Sequence, residues 1–163
     1  MQSIKAKKID FIYRLLISSG FYLGLIMFLV LELLLLSKTG LDVDYFALYQ
    51  ICLIILLAFF FAICFNKSTY YLDKIELGDQ SVLLDVYKFD ELLETIEITF
   101  LELTVDLKMN LSEKYPRYTL ELKSKKPLFK NGNRFSIKQY EIGFWNKENL
   151  KKAHKLLYDE QHK

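Results

Sequence analysis

Few residues of this chain have the types and spacing that could do chemistry. Its two histidines, His154 and His162, stand near the end with no serine, cysteine or carboxylate motif beside them, whereas nucleophilic or acid–base catalysis needs a partnered set. Cys52 and Cys64 share one apolar run and have no histidine or carboxylate at ligand spacing. They read as small polarizable residues of a helix rather than a redox or metal pair. No Walker-type loop, GxGxxG or HExxH motif is present. The acids of the middle third fall at alternating positions, as on a solvated strand face. The expectation is a non-enzyme that needs no metal and no cofactor.

Binding chemistry has a better candidate. In KSKKPLFKNGNR, Lys123, Lys125, Lys126, Lys130 and Arg134 surround Leu128 and Phe129. Basic side chains beside an anionic leaflet contribute about 1 kcal/mol each, and an apolar tip can dip into the interface. Lys123, Lys125, Lys126, Phe129, Lys130 and Arg134 are therefore candidates for binding an anionic lipid, another anionic ligand or the membrane surface. The plainer reading is a hairpin turn kept soluble by its lysines. A net charge of +2 is too small for a DNA or RNA polymer as partner. Its distribution is bipolar: acids dominate from Asn66 to Leu107, and bases, including Lys114 and Arg117, from Lys108 onward.

These residues need elements to hold them, and the membrane supplies the first. Tyr45 to Phe65 runs 21 positions without a charge, and about 20 apolar residues at 1.5 Å each cross a bilayer. Leu15 to Leu36 is a second apolar run, too long and too free of a cleavage site to be a signal peptide. Lys5, Lys7, Lys8 and Arg14 precede the first run, and Lys67 and Lys74 follow the second. The positive-inside rule then predicts a two-pass protein of the cytoplasmic membrane with both termini inside and a short outer loop. The expected segments are a basic N-terminus 1–14, helices 15–36 and 45–65 about a loop 37–44, and a cytoplasmic domain 66–163.

Gly20 and Gly24 form a GxxxG spacing, and Ala58 and Ala62 repeat it in the second helix. Small residues permit close backbone approach, first as the seam of an intramolecular hairpin and second as a homodimer seam. Glu32 and Gln50 are polar groups at comparable depth. An ionisable group inside a span is by default a functional hypothesis; here Glu32 is near enough to the outer end to reach the interface or to hydrogen-bond Gln50 or Tyr49.

After Asn66 the pattern changes to short runs rich in β-branched and aromatic residues. STYYLDKIEL and SVLLDVYKF flank a GDQ turn and read as a β-hairpin. ETIEITFLELTVDLKM alternates, but changes phase at Phe100 and Leu101, which means a bulge, a corner or two strands. YTLELKS and FSIKQYEIGFW follow, the latter with a phase shift near Gln139 and Tyr140. Six or seven short strands suggest a small antiparallel barrel or sandwich. A helix over 147–161 closes the chain, with Asn146 as N-cap, Trp145 and Leu150 as a hydrophobic staple, and Leu150, Ala153 and Leu157 as its apolar stripe.

The YLDKIEL and SVLLDVYKF hairpin directly after the membrane, together with IGFWNKENLKKAHKLL at the end, resembles the bacterial pleckstrin-homology-like (PH-like) domains found behind paired transmembrane helices. The resemblance implies a seven-stranded curved sheet capped by the C-terminal helix, and a docking, regulatory or sensing role. Phosphoinositide-binding members use a basic loop between the first two strands. The loop taken for it here, ELGDQSV, has no Lys or Arg. The order of parts also resembles the two-transmembrane β-barrel effectors of bacterial anti-phage systems. That likeness implies a cyclic oligonucleotide ligand and helices that oligomerise to breach the inner membrane. A bacteriocin or toxin immunity protein is a third reading. All three imply the lipid bilayer as partner, with self-association or a membrane protein beside it.

Overall fold

Three residues at the start of the chain, β1 (Ser3–Lys5), pair antiparallel with β2 (Tyr70–Leu77), matching Ser3 with Glu76 and Lys5 with Lys74. Between them lie two long helices, α1 (Phe11–Leu36) and α2 (Val43–Thr69), so a helical hairpin is inserted within one sheet. The computed structural model describes residues 2–36, 38, 43–111, 118–130 and 133–162. The basic residues Lys114 and Arg117 and most of the expected outer loop lie outside them.

The first sheet continues through β3 (Ser81–Lys88) to β4 (Glu91–Thr99), in the order β1-β2-β3-β4. The second contains β5 (Leu103–Met109), β6 (Tyr118–Ser124) and β7 (Ser136–Tyr140), in that order. Both are antiparallel throughout. The expected hairpin is β2–β3. The phase change at Phe100 and Leu101 is the corner where the chain leaves the first sheet for the second. Alternation explains the core: Val82, Leu84 and Val86 of β3 are fully buried while their neighbours turn outward.

α3 (Lys147–Gln161) closes the open end. The Asn146 side chain accepts from the backbone N–H of Asn149 at 2.9 Å, satisfying one of the helix's orphan donors. Leu150, Ala153 and Leu157 are buried beside Trp145. The expected β-rich domain with a C-terminal helix is thus present.

The strand before the helices was not expected. With one inward side chain, Ile4, it is too short to show a period. It also corrects the loop assignment: ELGDQSV joins β2 to β3, and the connection between the first two strands contains the helical hairpin. Where β1 ends, β2 bulges at Asp73, and the register with β3 shifts between Leu72 and Lys74. Leu72 is then partnered by side chains. Its N–H donates to Gln139 Oε1 at 2.8 Å, and its carbonyl accepts from Trp145 Nε1 at 2.6 Å.

α1 and α2 lie antiparallel: Ser18 meets Ser68 near one end, and Glu32 meets Tyr49 near the other. Among the described residues one helix, not the expected two, is long and apolar enough to cross a membrane, over Ala47–Thr69. α1 supplies a shorter apolar stretch, Ile26–Leu35.

Candidate functional site

Tyr70 and Tyr71 open β2 directly after the last residue of α2, and the two-residue period of a strand sends their rings to opposite faces. Each ring carries an arginine, and the two arginines have different surroundings.

On the Tyr71 face, Arg14 of α1 is fully buried, with its guanidinium 5.0 Å from the Tyr71 ring centre. Its Nε donates to the carbonyl of Ser68 at 3.2 Å, and its two Nη atoms donate to the carbonyls of Ile9 and Phe89. One side chain thereby joins the start of α1, the end of α2 and the β3–β4 turn. Asp90 in that turn accepts from the N–H of Phe11 at 2.6 Å and lies 3.8 Å from Arg14. A carboxylate here suits the positive end of α1.

Phe89 holds a left-handed backbone with φ of 56°, unusual for a residue with a side chain. Phe11 and Phe65 pack on its ring at 5.0 and 5.8 Å. Ser18 bonds to Ser68 at 3.1 Å and to the carbonyl of Arg14 at 2.8 Å. Burial pushes the Tyr71 phenol well above its ordinary value, against the charge of Arg14. Every donor here has a fixed acceptor, and the unit works as a joint between helices and sheet.

On the Tyr70 face, Arg134 lies 4.1 Å from the ring centre but is exposed. A cavity of about 810 Å³ opens there, lined by Tyr70, Lys88, Glu94, Phe129, Arg134 and Ser136 among others. A second of about 320 Å³ adjoins it and reaches Asn66 of α2, Lys138 and Tyr140. A third of about 390 Å³ follows, shared by Lys67, Lys108, Glu121, Lys138 and Tyr140. Together they form a cleft under the end of α2, and alternate residues of the β7 segment, 134, 136, 138 and 140, line it.

Of the six residues expected to bind an anion, only Phe129 and Arg134 line this cleft. Lys123 belongs to the ladder of the second sheet, 2.7 Å from Asp106 and 3.6 Å from Glu121. Lys126 pairs with Glu102 at 2.5 Å. Lys125 is exposed, and its N–H bonds the Glu102 carbonyl at 3.2 Å. Lys130 donates its backbone N–H to Glu94 at 3.3 Å. The basic loop is therefore not one cluster: Lys123 and Lys126 are paired with acids, and neither Lys125 nor Lys130 lines the cleft.

Sequence reasoning missed Tyr70, Lys67, Lys88, Lys108 and Lys138, which come from five elements. Only Lys138 had a signal in the sequence, the alternate spacing of 134, 136, 138 and 140. Glu121 is a buried carboxylate that Lys108 hydrogen-bonds. Burial pushes its proton affinity up, but the Lys108 bond and the charges of Lys108, Lys123 and Lys138 prevail and hold it below the usual range.

The small residues of the helices do not form the α1–α2 seam. Gly20, Gly24, Ala58 and Ala62 are exposed, and a Cβ on either glycine would meet open space. The seam is built instead on Arg14, Ser18, Cys64 and Ser68, whose buried polar atoms bond one another or nearby carbonyls. Glu32 accepts from the Tyr49 hydroxyl at 3.4 Å, while Gln50 is exposed. Cys52 is exposed and Cys64 buried, and both are free thiols. Among the described residues no three His, Cys, Asp or Glu side chains converge as a metal would require.

No match was found among protein-family models, curated proteins or solved structures. The functional reading therefore rests on geometry and chemistry.

Proposed function

We propose that this is an integral membrane protein of the cytoplasmic membrane, in which both α1 and α2 cross the bilayer and a cytoplasmic PH-like module serves as a non-enzymatic docking or sensing unit. One observation carries the reading. β1 and β2 are neighbours in one sheet, so the hairpin between them leaves the domain and returns to the same side.

The outer faces of both helices support insertion. Met27 and Phe28 of α1 are 68% and 65% exposed, and Ile54, Ile55 and Phe59 of α2 are above 60%. A stripe of that size facing water would be unfavourable by about 25 cal/mol per Å². Lys5, Lys7, Lys8, Arg14 and Lys67 gather at the domain end, in keeping with the positive-inside rule. The division of strands into four and three, with a capping helix, favours the PH-like resemblance. The outward small residues Gly20, Gly24, Ala58 and Ala62 are free to meet another copy, in line with self-association.

Alkaline carbonate extraction of membranes from expressing cells tests insertion: the chain stays in the pellet, and release to the supernatant would refute it. A second reading, the anti-phage effector, is favoured by the size of the cavity of about 810 Å³ and by the aromatic and basic residues Tyr70, Phe129, Lys88 and Arg134 that line it. It requires growth arrest when a cyclic oligonucleotide synthase is co-expressed; the docking reading requires none.

A further inference from the structure

The middle cavity of the cleft has a lining made for an anion. Its six residues are Asn66, Tyr70, Arg134, Ser136, Lys138 and Tyr140: two cations, an amide and three hydroxyls, with no carboxylate. A phosphate oxygen needs donors of this kind, and a guanidinium fork suits it best. The Arg134 fork is pre-positioned by its stack on Tyr70. Lys138 is 3.8 Å from Glu121, a loose pair, and Glu121 is already bonded by Lys108. The carbonyl end of α2 points toward this region and disfavours anions, but Lys67, the one basic residue of its last turn, opposes that.

Height decides the source of the phosphate. Asn66 belongs to the last turn of α2, the helix of membrane-crossing length, so the cavity opens where the phosphates of the inner leaflet lie. The adjoining larger cavity adds Leu93 and Phe135, 44% and 49% exposed, a rim suited to glycerol and the first methylenes rather than to water.

We propose that this cleft binds the headgroup phosphate of an anionic phospholipid, held by Arg134 and Lys138 with Ser136 and Asn66 as further donors. This rests on the membrane-inserted reading above, and it places the lipid site away from the Lys125–Lys126 tip.

The test uses the full chain purified in detergent. Native mass spectrometry counts retained lipid, and thermal unfolding is followed in mixed micelles containing phosphatidylglycerol or phosphatidylcholine. The expected result is selective retention of phosphatidylglycerol with a raised Tm. In Arg134→Gln/Lys138→Gln the retention falls about thirtyfold, as loss of two interfacial cations implies. Lys125→Gln/Lys126→Gln leaves it unchanged. Ser136→Asp, which keeps both cations but adds a carboxylate to the lining that competes for them and repels phosphate, lowers it similarly and covers the case where the double variant is destabilised.

Equal retention of both lipids, or loss only with the Lys125/Lys126 variant, overturns the site. Stabilisation by inorganic phosphate or a cyclic dinucleotide equal to that by phosphatidylglycerol assigns the cleft to a soluble anion and overturns the lipid. A chain that stays monodisperse without detergent refutes the membrane reading itself; a detergent-dependent chain with no lipid preference refutes only the headgroup.

Discussion

Tyr70 and Tyr71 are adjacent in sequence, each has an arginine against its ring, and yet the two faces of β2 do different work. Arg14 on the Tyr71 face is buried, and its guanidinium is consumed by three backbone carbonyls from three separate segments. Arg134 on the Tyr70 face is exposed and lines a cleft. The difference teaches that a cation is structural where its donors are filled and its water removed, and available to a ligand where they are not. In this fold the two conditions meet back to back at the point where helix becomes strand, so an event in the cleft sits one strand's thickness from the joint that holds the helices.

Breaking the joint has the largest expected effect. Arg14→Met removes the donor from the buried carbonyl of Ser68, at about 1–3 kcal/mol, and from the part-buried carbonyls of Ile9 and Phe89, at a smaller cost each. The variant should fail to accumulate in membranes, or lose most of its cooperative thermal transition. Next comes Trp145→Phe, which removes the donor to Leu72 and leaves a small cavity where the larger indole was fully buried, for a loss of about 2–4 kcal/mol in Tm-derived stability.

Gly143→Ala should destabilise to a similar degree. Gly143 has φ of +62°, and an added Cβ would lie 1.9 Å from Ile9 Cδ1. Arg134→Gln sharpens the contrast from the other face: in phosphatidylcholine micelles its stability should stay within about 0.5 kcal/mol of the parent, as for an exposed site.

The smallest effect concerns pH. The folded-state proton affinity of Glu121 is depressed, so its contribution is present above the unfolded carboxylate range and is lost as pH falls through the lower folded value. Acid melts of the parent should therefore fall more steeply below about pH 4 than those of Glu121→Gln.

Much of the domain was legible because its signals are local. Alternation in SVLLDVYKF, the phase slip at Phe100 and the Asn146 cap each depend on neighbours in sequence, and each matches an observed element. The first strand was not legible, since Ile4 gains a meaning only from β2, some 70 residues on. The joint was missed for the same reason: Arg14 reads as one more basic residue before a span, and its acceptors are backbone atoms that leave no trace in composition. The basic tip misled because clustering in sequence says nothing of pairing: Lys123 turns to Asp106 of β5, and Lys126 to Glu102 in the turn before it. The GxxxG spacing gave a periodicity but not a direction, and the seam went to polar residues instead.

The central claim is that the domain and the start of the chain share one side of a membrane that the hairpin crosses twice. A membrane-impermeant maleimide tests it in intact cells, on a Cys52→Ala/Cys64→Ala background with one new cysteine at a time. Lys38→Cys in the outer turn should label at once, while Gln2→Cys and Lys125→Cys should label only after permeabilisation. Labelling of Gln2→Cys or Lys125→Cys in intact cells, or protection of Lys38→Cys, would contradict the account.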